Sequence, residues 1–463
     1  MLSVVSPDRR FGRREFLRIG GVGLSGLTLP GLWSQEGLAA ASRLATGKSV
    51  IFLFLHGGPS QIETFDPKMT APDKIRSATG EIATRLPGVS FGSSFPKLAA
   101  LADQFTVVRS FTTGDGNHDI KPVVGRDSGG ANLGTLYSRV VGTNHPLTGM
   151  PTNAALFPQS VDPAREPAQK AFGNFESTGG LGAAFAPFVP GAGGDLQKDM
   201  QLAIAADRLG DRRSLLSELD RVRFQLDAAG KSDALDRLRD QAFGTIMGGV
   251  AGAFDLSQED PRTVARYDTG ALMTPDQIDR KWNNYKMYVD NVKTLGKLLL
   301  LSRRLCEAGC GFVTVTTNFV WDNHADVNNA GVAEGMRYCG EPLDHAVSAF
   351  LEDVAERGLS DKILLVCCGE MGRTPQINQN GGRDHWGALA PLLLAGGRHK
   401  MGQVIGQSTR NAGEPASDPV RIPNLLATIM HTLFDVGELR VTRGVPTEIV
   451  RAATAADPIP GLA

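Results

Sequence analysis

The stretch Ser49-Val50-Ile51-Phe52-Leu53-Phe54-Leu55 runs directly into His56-Gly57-Gly58-Pro59-Ser60. An unbroken apolar run of this length suits a strand buried on both faces, as in a parallel sheet covered by helices. The Gly-Gly-Pro-Ser that follows is a turn signal, so the strand stops at His56. The same pattern recurs downstream. A short helix near Pro96 to Asp103 leads into a strand at Phe105 to Arg109, then a polar, Gly-rich loop from Thr112 to Asp119. A helix over Met287 to Ala308 stops at Gly309 and a strand runs Phe312 to Thr317. A helix is expected from Pro342, a residue suited to a helix's first turn, to Arg357 before Gly358. Strands at Lys362 to Cys368 and Leu392 to Ala395 follow, and a last helix at Ile422 to Phe434. Strands alternating with helices predict a mostly parallel sheet with helices on both faces. Ligands of such sheets bind beyond the carboxyl ends of the strands.

Two segments stand apart from this core. From about Gly142 to Asp195 the chain is rich in Pro, Gly and Ala and reads as irregular loops. A mainly helical insertion is expected at about 195–285. Leu215, Leu216, Leu219, Val222 and Leu226 share one helical face, and a second helix starts at Ser232.

The first forty or so residues read as an export signal. Arg13-Arg14-Glu15-Phe16-Leu17-Arg18 is followed by a mild apolar segment and then by Ala39-Ala40-Ala41, the basic, apolar and small-residue zones of a cleavable signal. The paired arginines point to the twin-arginine route, with its export machinery as a partner and a periplasmic or extracellular destination. The folded protein is then 42–463, too long for a single simple core. No segment is long and apolar enough to span a bilayer after processing. The 48 basic and 49 acidic residues nearly balance and form no basic tract, which speaks against nucleic acid as a partner. Five cysteines, an odd number with two adjacent, are no disulfide framework and no Cys-x-x-Cys metal site; Cys367 and Cys368 read as core thiols.

The strand ends carry the chemistry. His56 ends the first strand, His118 follows the second, and Trp321-Asp322-Asn323-His324 follows the strand at Phe312. Glu370 and Arg373 lie just past Cys368, and Asp384-His385 sits on the loop before the strand at Leu392. Imidazole and carboxylate together suit Zn, Mn or Fe, and carboxylate alone suits Ca or Mg. The candidate metal ligands are therefore His56, His118, Asp322, His324, Glu370, Asp384 and His385. Two alternatives stay open: Glu370 either ligates or pairs with Arg373, and Asp384 either ligates or orients His385. No G-x-S-x-G elbow, P-loop or H-E-x-x-H is present in the folded part, which excludes the hydrolase, nucleotide-binding and zinc-protease classes those motifs mark.

The motifs His56-Gly57-Gly58-Pro59-Ser60, Thr64-Phe65-Asp66-Pro67-Lys68, Trp321-Asp322-x-His324, Gly369-Glu370-x-Gly372-Arg373-Thr374-Pro375 and Gly382-Arg383-Asp384-His385-Trp386 resemble, in that order, the DUF1501 family of exported bacterial proteins. The resemblance spans nearly the whole chain after the signal. It implies an alkaline phosphatase-like fold, and with it hydrolysis of phosphate or sulfate monoesters, of small molecules or glycans, at a site of one or two divalent metal ions (Zn, Mn, Fe or Ca). His56 stands where that superfamily carries an Asp ligand. Asp322, His324 and His385 resemble its ligands. No cysteine fits the sulfatase nucleophile motif, which leaves Thr112 or Thr113 as candidate nucleophile, and Arg373 either stabilises ester charge or pairs with Glu370. The expected function is an exported metal-dependent hydrolase. The alternative is a non-catalytic ligand-binding or assembly protein on a degenerate hydrolase fold.

Overall fold

A computed structural model describes residues 43–191 and 250–462. The expected export signal and the expected helices around Leu215 to Leu226 and from Ser232 lie outside the described residues.

The apolar run forms β1 (Ser49–Phe54), with Val50 to Phe54 all buried. The other strands of its sheet are β2 (Thr106–Val108), β3 (Asn153–Leu156), β4 (Phe312–Val315), β5 (Ile363–Cys368), β6 (Leu392–Gly396) and β7 (Gln403–Ile405). The seven-stranded order is β7-β2-β6-β5-β1-β4-β3. All neighbours are parallel except that β6 runs against both β5 and β2. The reversal has a simple cause. The chain leaves β5 at its carboxyl end, makes a small hairpin between Gly372–Arg373 and His385–Trp386, and re-enters from the same edge. Without a helical crossover the returning strand must be antiparallel.

Side chains alternate across the sheet. Ile51, Leu53, Leu365 and Val313 face a layer formed by α2 (Tyr285–Glu307) and α3 (Val332–Glu356). Val50, Phe52, Phe54, Val366 and Phe312 face a layer with α1 (Leu133–Val141) and α4 (Ile422–Leu433). Helices thus cover both faces, as β1 predicted. Each such fully buried large apolar side chain contributes about 1.5–3 kcal/mol.

Two expectations are corrected. The segment expected to be irregular from Gly142 holds β3, an edge strand whose Asn-Ala-Ala-Leu lacks the β-branched signature. The helix expected from Pro342 starts ten residues earlier, and Pro342 lies inside it. Proline at that position cannot donate to the carbonyl four residues before it. Asn291 Nδ2 of α2 donates to that Tyr338 oxygen instead, at 2.7 Å, so the helix continues with the orphaned acceptor satisfied.

All five cysteines are free and buried. Among the described residues no helix is long and apolar enough to cross a membrane.

Candidate metal centre

The carboxyl ends of β1, β4 and β5, the loop after β2 and the hairpin before β6 converge. Gly57, just past β1, sits at φ 112°, and a Cβ there would lie 2.5 Å from the amide nitrogen of Asp322. Only glycine lets the two turns touch. At the hairpin, a Cβ on Gly387 would fall 2.3–2.4 Å from the backbone of Asp115. That approach brings the loop carrying His118 against the turn carrying His385.

Three donors meet there. His118 Nε2 lies 2.9 Å from His385 Nε2 and 3.4 Å from Asp322 Oδ1, and His385 Nε2 lies 3.3 Å from the same oxygen. Two tetrahedral ligands about 2.0–2.1 Å from a small dication stand about 3.3 Å apart. The triangle therefore matches one face of such a coordination sphere, and its chemistry, two imidazoles and one carboxylate, fits a divalent metal.

Glu370 lies behind His118. Its Oε1 is 2.9 Å from His118 Nδ1 and accepts the Gly57 amide at 2.9 Å. A carboxylate on Nδ1 fixes the ring and leaves the Nε2 lone pair of the neutral imidazole facing the triangle. His324 Nε2 approaches the other oxygen of Asp322, Oδ2, at 2.9 Å, and Asp326 lies 3.9 Å beyond it. Asp384 is exposed on the hairpin, where its carboxylate accepts from Asn378 Nδ2 at 3.0 Å.

Arg373 is 1% exposed, and each of its nitrogens is engaged. Nε donates to Gly58 O and Nη1 to Arg383 O; Nη2 donates to Gly57 O and, at 2.6 Å, to Asp322 Oδ1. The guanidinium stitches the ends of β1 and β4 to the hairpin and holds the Asp322 carboxylate in place. Half-buried Thr112 donates through Oγ1 to Gly387 O at 3.1 Å, whereas the buried hydroxyl of Thr113 has no partner.

His56 is buried with both ring nitrogens unpartnered. Phe54, Phe172, Phe175 and Phe319 surround it at ring distances of 5.1–6.0 Å. It forms no hydrogen bond or ion pair with the triangle. Burial holds its pKa down, so the ring is neutral at pH 7.

The charges at the triangle are strongly coupled. Burial alone would raise the Asp322 pKa, but hydrogen bonds from His118, His324 and His385 and the Arg373 charge bring it far below the carboxylate range. Burial alone would lower that of His118, but Asp322 and Glu370 outweigh it and raise the value above 6.5.

Several contributors carry no motif. Asn329 Nδ2 donates to Asp322 Oδ2 at 3.0 Å. Lys121 bridges Asp115 and Asp119 on the His118 loop. Phe172 and Phe319 stack at 4.5 Å beside both His56 and His118. The Asp326-x-Asn328-Asn329 cluster, a polar loop just after a strand end, was a readable signal; the phenylalanines offered none.

Fold and site together define an α/β protein with a His-Asp triangle beyond its strand ends whose three atoms could hold a cation. The chain belongs to the DUF1501 family, whose description is a protein of unknown function and which matches residues 47–452. No curated protein matches the sequence. Solved structures similar to it include the PsFucS1 sulfatase from Pseudoalteromonas sp., at 10% identity over 86% of this chain and 70% of that one, TM-score 0.36. Ps i-CgsB in complex with k-i-k-neocarrahexaose is similar at 10% identity over 83% and 71%, TM-score 0.31. So is a Bacteroides thetaiotaomicron protein of glycosaminoglycan metabolism, at 10% over 87% and 74%, TM-score 0.34. At these values the likenesses assign no residue and no reaction to this chain.

Proposed function

We propose that this chain is an exported metal-dependent hydrolase of phosphate or sulfate monoesters. The observation that carries the reading is the triangle of His118, Asp322 and His385, three ligating atoms with the spacing of a coordination face and a carboxylate set behind one imidazole. Two imidazoles favour Zn, Mn or Fe over Ca. A bound dication would supply Lewis acidity toward the ester and offset its negative charge. The residues around it have distinct tasks. Glu370 orients His118, Arg373 holds Asp322, and Thr113, the one of the two candidate threonines whose hydroxyl has no partner, is the candidate nucleophile, with water as the other choice. Export by the twin-arginine route to the periplasm or beyond, with a small-molecule or glycan ester as substrate, completes the reading.

The test is elemental analysis of the purified protein beside a His118→Ala, His385→Ala double variant, with turnover of p-nitrophenyl phosphate and p-nitrophenyl sulfate. The expected result is about one equivalent of Zn, Mn or Fe per chain, lost in the variant together with at least about a hundredfold of the ester hydrolysis. Cation-free protein in both cases would overturn the reading.

One observation favours a second reading, a binding protein on a degenerate hydrolase fold. Every nitrogen of Arg373 is taken up by backbone carbonyls and Asp322, so it is not offered to an ester anion. That reading expects cation binding without turnover, and Thr113→Ala then changes nothing.

A further inference from the structure

His56 breaks the rule that buried polar groups find partners. It continues the alternation of β1 onto the face of Val50, Phe52 and Phe54, where the pattern calls for an apolar side chain. Instead an imidazole lies there, 1% exposed, with neither nitrogen hydrogen-bonded. Leaving such atoms unpaired costs stability, and local inconsistencies of this kind gather at functional sites. A second orphan accompanies it. Thr316 continues β4 with its amide on Leu156 O. Its side chain alternates onto the same face as Thr314, beside the end of β1, and its buried hydroxyl also has no partner.

The chemistry of these orphans describes a ligand. A neutral imidazole offers one N–H and one lone pair, and a threonine hydroxyl both donates and accepts. Neither compensates a charge, so they suit neutral hydroxyl groups. The phenylalanine rings around them suit an apolar face. Of the four rings, Phe54, Phe175 and Phe319 are buried and only Phe172 is partly exposed. Phe172 lies on a span without helix or strand, between two anchors. On one side Asn318, in the left-handed region at φ 66°, accepts the Gln169 amide and donates to Pro167 O, each at 3.0 Å. On the other, Phe175 O accepts from Asn132 Nδ2 at 2.9 Å.

We propose that His56 and Thr316 form the buried polar end of a subsite, walled by Phe172, Phe175 and Phe319, that holds the hydroxylated ring of a carbohydrate, with Phe172 swinging aside to admit it. The inference rests on the hydrolase reading only in naming that ring as the alcohol half of an ester; binding of the ring needs no turnover. His56 is then a specificity-determining residue and stands apart from cation binding.

The experiment is equilibrium dialysis of the methyl glycosides of glucose, galactose and mannose against the full chain, with and without added Zn. Wild type, His56→Phe, Thr316→Val and Phe172→Ala are compared, with melting temperature and cation content measured for each. At least one glycoside is expected to bind wild type and to bind His56→Phe and Thr316→Val at least about tenfold more weakly. His56→Phe is expected to melt about 1–4 °C higher, having lost its unpaired nitrogens, and to keep its cation. Equal binding to wild type and to both polar variants, no glycoside bound by wild type, or loss of the cation in His56→Phe would each overturn the proposal. Absence of cation in wild type alongside glycoside binding that depends on His56 would sink the hydrolase reading and leave this one standing.

Discussion

The carboxylate of Asp322 is touched by His118, His324, His385, Arg373 and Asn329, and its protonation is tied to theirs. His118 is held above its ordinary 6.5, so in cation-free protein its contribution to stability is fully present below the unfolded value and is lost as pH rises through the folded one. Asp322 is held far below 3.8, so its contribution is present above that value and is lost only in strong acid. The cluster therefore stabilises the cation-free fold most between about pH 4 and pH 6.5. A cation reverses the upper limit, because it needs the His118 imidazole neutral. Zn affinity measured by chelator competition is expected to fall about tenfold per pH unit below a midpoint that lies above 6.5. A pH-independent affinity across that midpoint would remove His118 from the ligand set. Much of this cluster was legible in the sequence, since His118, Asp322, His324, Glu370 and His385 each follow a strand end or precede one. What each does was not. Whether Glu370 faces a metal or an imidazole, and whether Arg373 is free or saturated, depends on side-chain direction and on carbonyls from turns distant in sequence.

At the scale of elements, the apolar runs at β1, β4, β5 and β6 announced the sheet because burial on both faces leaves no polar alternation to confuse. β3 escaped because strand pairing, rather than its alanines, makes it a strand. The start of α3 escaped because a local rule, proline in a first turn, is overridden by one tertiary hydrogen bond. That bond can be tested. Asn291→Leu removes the donor to Tyr338 O and the acceptor for Thr317 Oγ1, and is expected to cost about 2–4 kcal/mol in urea unfolding, the sum of two buried groups left unpaired. Adding Pro342→Ala returns an amide that can satisfy Tyr338 O, so the double variant should recover part of the loss. Strict additivity of the two substitutions would show that Asn291 is not what lets the proline sit inside the helix.

Across the whole molecule, the three donors are remote in sequence: His118 and His385 are 267 positions apart, and Asp322 and His385 are 63 apart. They meet only once β1, β4, β5 and the hairpin before β6 are in register. Contacts of such long separation form late, after the loop-closure entropy has been met. A cation that binds them adds stability of about 2.7 kcal/mol at a hundredfold excess over its dissociation constant. A site that forms after the folding transition state adds its stability as slower unfolding with an unchanged folding rate, and that is the outcome expected here from the long separations; stopped-flow kinetics with and without Zn would show it, and a faster folding limb would contradict it. The glycine contacts at Gly57 and Gly387 have a further consequence. They make the triangle a proofreader of the finished fold, because a chain with its turns misaligned by one residue has none to offer. Under the metal-dependent reading, occupancy would separate correctly folded chains from compact impostors, without any partner having to inspect them.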